Sequence, residues 1–408
     1  MHVASAELNP SPGFLHERET ALRLLSAASF LIFFQAYLIA PLIPSLVKEF
    51  NVSQNLVGLF VPAYLIPYGV ATLVYGPLSD RVGRKKVLLT LIALTAVAIA
   101  LPAVVRTPMQ LLGCRVLAGV VSGGIVPIAL ALFGDLFSYA ERGRPLGWVF
   151  GGIAGGMAFG STCGALLNAP VGWRTQFLML SAAMAVVFAL AWKHRRLLEG
   201  KRSNHPMSVG SIISGYAGLL ADPRARRAYG YIVVNGMFHS GVFSWLGLYL
   251  SERYGLSDRG IGLALLGYGI PGLLLGPAIG RLADRLGRRA IIPTGVILAS
   301  VAAAVLIAPV PLAVAAIAFT LLSLGYDMSH PLLAGIITSV HPTRRGMAMG
   351  MNGFLVFMGF GLGSLVFQGL LKWGFTNALI AFTVFQFLAG LAALRLFRDE
   401  GTARGRAG

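Results

Sequence analysis

Long apolar runs alternate with short polar ones along the whole chain. They lie at roughly 23–46, 56–78, 87–105, 109–134, 146–168, 174–192, 228–250, 260–279, 290–308, 312–340, 347–370 and 375–394. About 20 apolar residues are needed for a helix to cross ~30 Å of hydrocarbon, so twelve membrane-spanning helices are predicted. Glycine and proline fall inside many of the runs. In water that argues against helix; in a membrane bundle small residues admit close packing and neighbours re-satisfy backbone freed by proline. The longest polar stretch, 193–227, divides the chain in the middle. Within it Val209, Ile212, Ile213, Tyr216, Leu219 and Leu220 recur at helical spacing, predicting a short amphipathic helix on the inner leaflet. The expected organisation is a 1–22 leading segment, a six-helix bundle over 23–192, a central loop over 193–227, a second six-helix bundle over 228–395 and a 396–408 tail.

Composition agrees with a bilayer protein: 56% hydrophobic, 12% charged, mean hydropathy +0.75, against about 25% charged residues in soluble domains. The formal net charge of +18 raises the question of nucleic acid, but its distribution is that of a topogenic signal. With a cytoplasmic N-terminus, 26 Lys/Arg lie on the cytoplasmic side and six on the other: Lys48, Arg106, Arg174, Arg253, Arg259 and Lys372. That asymmetry predicts both termini in the cytoplasm of a bacterial inner (plasma) membrane protein. Residues 1–22 lack the apolar core and small-residue cleavage site of a signal peptide, so the first span is the expected insertion signal. Cys114 and Cys163 both fall in spans and read as small packing residues, with no metal site and no disulfide.

The two halves repeat. Gly76-Pro-Leu-Ser-Asp80-Arg81-Val-Gly83-Arg84-Lys85 follows the second run and Gly280-Arg-Leu-Ala-Asp284-Arg285-Leu-Gly287-Arg288-Arg289 follows the eighth, 204 residues later. Pro127 and Pro331 keep the same offset, and Gly147, Gly156, Gly160 and Ser161 pair with Gly350, Gly359, Gly363 and Ser364 at 203. Parallel repeats about an axis along the membrane normal are a transporter architecture with substrate bound between the repeats.

The loop G-x-L-S-D-R-x-G-R-K resembles the signature loop of the major facilitator superfamily. The resemblance implies an all-α fold of twelve helices in two pseudo-symmetric bundles. It also implies a conformational latch between the halves, with Asp80 set near the start of the eleventh helix and Arg81 and Arg84 as its charge partners. Asp135-x6-Arg142 again looks like the family's inner loop. Arg115-Val-Leu-Ala118-Gly119 resembles the family's R-x-x-Q-G motif, in which the arginine of antiporters helps proton transfer, with Ala118 where Gln is usual. An arginine inside the bilayer must face a partner or a cavity, or else snorkel to the interface. Gly147-x8-Gly156-x3-Gly160-Ser161-x2-Gly164-Ala165 is similar to the antiporter motif of the 12-span drug:proton exchangers, departing from it at Ser161 and Ala165.

Polar residues inside the runs are few: Gln35 in the first, Arg115 in the fourth, Asn235 and His239 in the seventh, Asp327 and His330 in the tenth. In the facilitator fold helices one, four, seven and ten line the cavity. Asp327, with His330 and Arg115, is therefore the expected proton-coupling group, and Gln35, Asn235 and His239 are the expected substrate contacts. The expected activity is proton-coupled efflux of an amphipathic or drug-like compound by a monomer in lipid. The alternative is sugar or metabolite export or import by symport or uniport. No Walker loop, H-E-x-x-H or G-x-S-x-G is present, so a proton gradient rather than a cofactor is the expected energy source. An intramembrane enzyme or a non-transporting sensor is the reading from another class.

Overall fold

A computed structural model describes residues 12–137, 143–199, 209–341 and 345–400. Arg142, Lys201, Arg202 and Arg344 lie outside the described residues, as does the side chain of Asp284. Among the described residues every regular element is helical. The first half comprises α1 (Pro12–Tyr37), α2 (Ile43–Phe50), α3 (Gln54–Gly58), α4 (Pro62–Val82), α5 (Arg84–Ala100), α6 (Pro108–Ser122), α7 (Ile125–Leu136), α8 (Gly143–Leu166) and α9 (Asn168–Lys193). A linker helix α10 (Val209–Leu219) follows. The second half comprises α11 (Pro223–Phe243), α12 (Leu246–Tyr254), α13 (Asp258–Ala264), α14 (Gly276–Leu286), α15 (Arg288–Val305), α16 (Leu312–Val340), α17 (Arg345–Leu370) and α18 (Phe375–Leu396).

Ten of the resulting helical rods are long and apolar enough to cross a membrane among the described residues. The seventh and eighth predicted runs are not in that set. Pro223–Phe243 opens with Arg224, Arg226 and Arg227 and breaks at Ser244–Trp245 before α12. The eighth run is divided into α13, a 3₁₀ turn at Leu266–Gly269, a π-helical turn at Pro271–Leu275, and α14. Proline explains the second break, since it removes an N–H from the ladder and crowds the preceding turn. The first run is broken by Pro41 and Pro44, and the fourth by Gly123-Gly124.

Capping follows local sequence. Thr107 and Gln110 form a reciprocal capping box at α6, and Asp222 accepts from the backbone N–H of Arg224 and Ala225 at α11, satisfying donors that the first turn leaves free.

The sequence repeat is also a repeat of backbone. Gly83 (φ 108°) and Gly287 (φ 81°) each close one helix and open the next, and Gly172 (φ 75°) and Gly374 (φ 93°) recur in the same way. These left-handed positions disfavour residues with a Cβ. Packing repeats as well: α8 lies along α1, and α17 along α11. A Cβ at Gly156 or Gly160 would stand 2.4 and 2.3 Å from the carbonyl oxygens of Phe30 and Phe34. A Cβ at Gly359 or Gly363 would stand 2.8 and 2.0 Å from those of Val233 and Met237. The two glycine faces are therefore contact surfaces, as small-residue helix packing requires.

Candidate functional site

The basic loops gather at one end of the molecule, where α4 turns into α5 and α14 into α15. There Arg84 donates to Asp80 (3.1 Å) and pairs with Asp135 at the end of α7. Lys85 pairs with Glu199, and Arg144 with Glu19. These bonds join segments of the first half to one another and to the start of the central loop. Arg81 is exposed, and nothing lies within 4 Å of a Cβ at Gly76 or Gly280. The signature loop of the first half thus forms an ion-pair node around Arg84.

Contacts between the halves tighten toward the opposite end. Along the α4–α17 seam, a Cβ at Gly353 would find Thr72 at 3.8 Å, one at Gly69 would meet Phe357 at 3.0 Å, and one at Gly361 would meet Ile66 at 2.4 Å. At the far end Gln368 donates to the Asn55 carbonyl (2.6 Å), and the ring of Trp245 sits where a Cβ on Gly58 would be, 2.4 Å away. Gly247 packs on the backbone of Pro41. Asp258 accepts from Ser45 (2.6 and 2.7 Å) and from Asn168 (2.6 Å).

The intramembrane polar residues sort into three groups. Arg115 is fully buried and fans its donors over Phe60 O (3.1 Å), Gln35 O (3.2 Å), Gln35 Oε1 (2.9 Å) and Ala36 O (2.9 Å), with the guanidinium 4.5 Å from the Tyr64 ring centroid. It ties α6 to the α1 and α4 rods, and Gln35 is committed to it. Asn235 is likewise buried, donating to Ser329 (2.7 Å) and accepting from Gln386 (3.0 Å), so it joins α11 to α16 and α18. His239 lies among rings: Tyr326 at 4.0 Å, Phe360 at 5.5 Å, Tyr268 at 5.6 Å, with its nitrogens 3.1 and 3.2 Å from the Tyr268 hydroxyl.

That aromatic cluster reaches the first half. Phe243 stacks near Tyr268 (4.4 Å) and Tyr37 (5.4 Å), and Phe357 meets Tyr68 (4.4 Å) and Phe33 (5.8 Å). The Tyr37 hydroxyl and His330 Nδ1 are buried without a hydrogen-bond partner among the described residues. His330 stacks on Tyr326 at 5.1 Å.

Asp327 stands halfway along α16, partly exposed, with a 3.3 Å contact from Ser323. Its carboxylate faces Gly272, where a Cβ would lie 3.1 Å from Oδ2. Gly272 is in the π-helical turn, and such turns gather at functional sites. The repeat explains the space. At the 204-residue offset Gly272 corresponds to Tyr68 and Asp327 to Gly123. In the first half a Cβ on Gly123 would stand 2.6 Å from Tyr68 O. The small partner is on the α6–α7 rod in one half and on the broken rod in the other. Sequence reasoning singled out Asp327 but not Gly272, Tyr37, Tyr268 or Asp258; comparing the halves position by position flags Gly272, whereas nothing local flags Asp258.

Gly164 of the glycine-rich motif faces the first rod, and Ser161 is buried beside it. Ser161 bonds carbonyls of its own helix, and a Cβ on Gly164 would meet Leu38 O at 2.8 Å. Gly147 has nothing within 4 Å. Among the described residues no group of three or more His, Cys, Asp or Glu is placed to hold a metal ion.

Comparison with known proteins agrees with this architecture. The chain is 27% identical over 386 residues to the uncharacterised MFS-type transporter YceJ of Bacillus subtilis, covering 93% of this chain and 96% of that one. It is 22% identical over 359 residues to multidrug resistance protein 1 of the same organism, covering 86% and 90%. The crystal structure of the human organic anion transporter MFSD10 superposes with a TM-score of 0.71 at 17% identity, covering 93% of this chain and 99% of that one. The family model described as Major Facilitator Superfamily matches residues 25–274 and again 232–408. The chain is therefore an integral membrane transporter of small organic solutes belonging to the major facilitator superfamily.

Proposed function

We propose that this transporter exports an amphipathic, ring-bearing organic compound in exchange for protons, with Asp327 as the proton-carrying group. The observation that carries this is the placement of Asp327: a partly exposed carboxylate at the centre of α16, set against Gly272 in a π-helical turn and next in sequence to Tyr326 of the aromatic cluster. A carboxylate at that depth is costly unless it binds a proton, an ion or water. The aromatic cluster beside Asp327 suits rings better than polyols. The likeness to multidrug resistance protein 1 of Bacillus subtilis supports export.

The same reading takes α1–α9 and α11–α18 as two six-span bundles, with the seventh and eighth spans broken. Both termini, the basic loops and the 193–227 linker are cytoplasmic. Asp80, Arg81 and Arg84, with Gly280, Asp284, Arg285 and Arg288 in the second copy, act as latch residues that engage across the halves when the basic end closes. His330, His239 and Arg115 are the supporting polar groups.

Purified protein in liposomes tests it. Asp327→Asn keeps the shape and deletes the titration. Accumulation driven by an imposed pH gradient is expected to vanish while downhill exchange remains measurable, with the melting temperature unchanged. Full gradient-driven accumulation by a folded Asn variant would remove Asp327 from the role; parallel loss of both modes would make it a substrate contact.

A further inference from the structure

We infer that Asp258 is the outer latch of the transport cycle, a positioning residue whose hydrogen bonds from Ser45 and Asn168 hold the end opposite the basic loops closed. The inference rests on the alternating-access reading above and names what regulates it. Asp258 opens α13 in the second half, while Ser45 belongs to α2 and Asn168 to the start of α9, both in the first. One carboxylate therefore grips two separate rods of the other half: Ser45 Oγ lies 2.6 and 2.7 Å from its two oxygens, and Asn168 Nδ2 lies 2.6 Å from Oδ2.

Hydrogen bonds to an ionised acceptor are about twice as strong as neutral ones. All three residues are partly buried, so water competes for these bonds less than at a free surface. The helix behind the carboxylate is fitted to the same contact. A Cβ on Gly262 would stand 2.8 Å from Leu166 and 2.9 Å from Thr162 O, and one on Gly269 would overlap Ala158 at 1.9 Å. The start of the broken rod is thus docked on α8 by glycines and fastened by Asp258. The same rod carries Gly272 against Asp327. Separating the halves at this end requires breaking the Ser45 and Asn168 bonds together, because they converge on one side chain.

The test reads distance. Spin labels are placed at exposed Lys48 and Arg253 for the outer end, and at exposed Lys86 and Leu286 for the basic end. The background replaces Cys114 and Cys163 by Ala. Double electron–electron resonance on protein in nanodiscs then gives the open fraction at each end. Asp258→Ala is expected to raise the outer-open fraction about tenfold or more and to shorten the basic-end distance together with it. Ser45→Ala with Asn168→Ala should do the same from the other side. If Asp258→Ala fails to yield monodisperse protein, the Ser45/Asn168 pair decides. Distance distributions unchanged from the parent in a folded variant would overturn the latch. Liposome transport by the same parent keeps the two readings apart: a distance shift without any solute flux retains the latch and removes the proposed function.

Discussion

Arg115 shows how a single residue resolves a choice the sequence leaves open. An arginine near a helix start can snorkel outward or turn inward. Here four carbonyl and amide acceptors from two neighbouring rods surround it, so its charge is spread over neutral partners rather than paired with a carboxylate. Such a fork-shaped set of acceptors fits guanidinium and not ammonium. Glycines give a sharper residue-scale test. Gly160→Ala and Gly363→Ala each thrust a methyl to within 2.3 and 2.0 Å of a backbone oxygen on the partner helix. Backbone cannot step aside as a side chain can, so each is expected to cost about 1–3 kcal/mol. Gly147→Ala, with open space around it, is expected to be silent. Melting curves of the three variants in detergent decide it: equal stability of all three would mean the glycine faces are not tight contacts. The motif pattern alone put Gly147, Gly156, Gly160 and Gly164 in one class; only the distance to α1 separates them.

At the scale of elements, most helices were legible because their apolar runs are long enough to span, and their breaks coincide with Pro41, Pro271 and Gly123-Gly124. The π-helical turn was not legible: Pro271 marks a break but not the hydrogen-bond pattern that follows it, nor that Gly272 within it faces Asp327 of α16. The end of α18 carries a further long-range tie. Glu400, buried, accepts from Arg224 Nη2 at 2.7 Å and pairs with its Nε; its backbone oxygen accepts from Arg289 N (2.9 Å), and Arg227 donates to Leu396 O (2.7 Å). The neighbouring carboxylate holds the Arg224 guanidinium above its ordinary pKa. Glu400→Gln leaves Arg224 with a neutral partner and is expected to cost about 1–2 kcal/mol. Asp399→Asn, whose partner Arg398 lies 3.6 Å away in the open, is expected to change nothing, because exposed pairs contribute little. Thermal denaturation of both variants checks the contrast, and an equally small effect would reduce the Glu400 tie to a surface pair.

For the whole molecule, topology follows from charge. Positive loops resist translocation, so a cysteine at exposed Arg196 is expected to be shielded from a membrane-impermeant maleimide added outside intact cells. Cysteines at exposed Arg106 and Lys372 should react. Labelling of position 196 from outside would invert the orientation and with it the direction in which the outer latch faces. The membrane class, the helical period, the charge asymmetry and the twofold repeat are all properties of the chain read in order, because bilayer thickness and backbone satisfaction act on contiguous residues. Which polar groups spend their hydrogen bonds on one another, and which stay partly exposed, was decided by tertiary structure. Gln35 and Arg115 are 80 residues apart, Ser45 and Asp258 are 213 apart, and Gly272 makes room for Asp327 from a different rod. Nothing in the local sequence of either partner carries that information, since the contact exists only once the rods are packed.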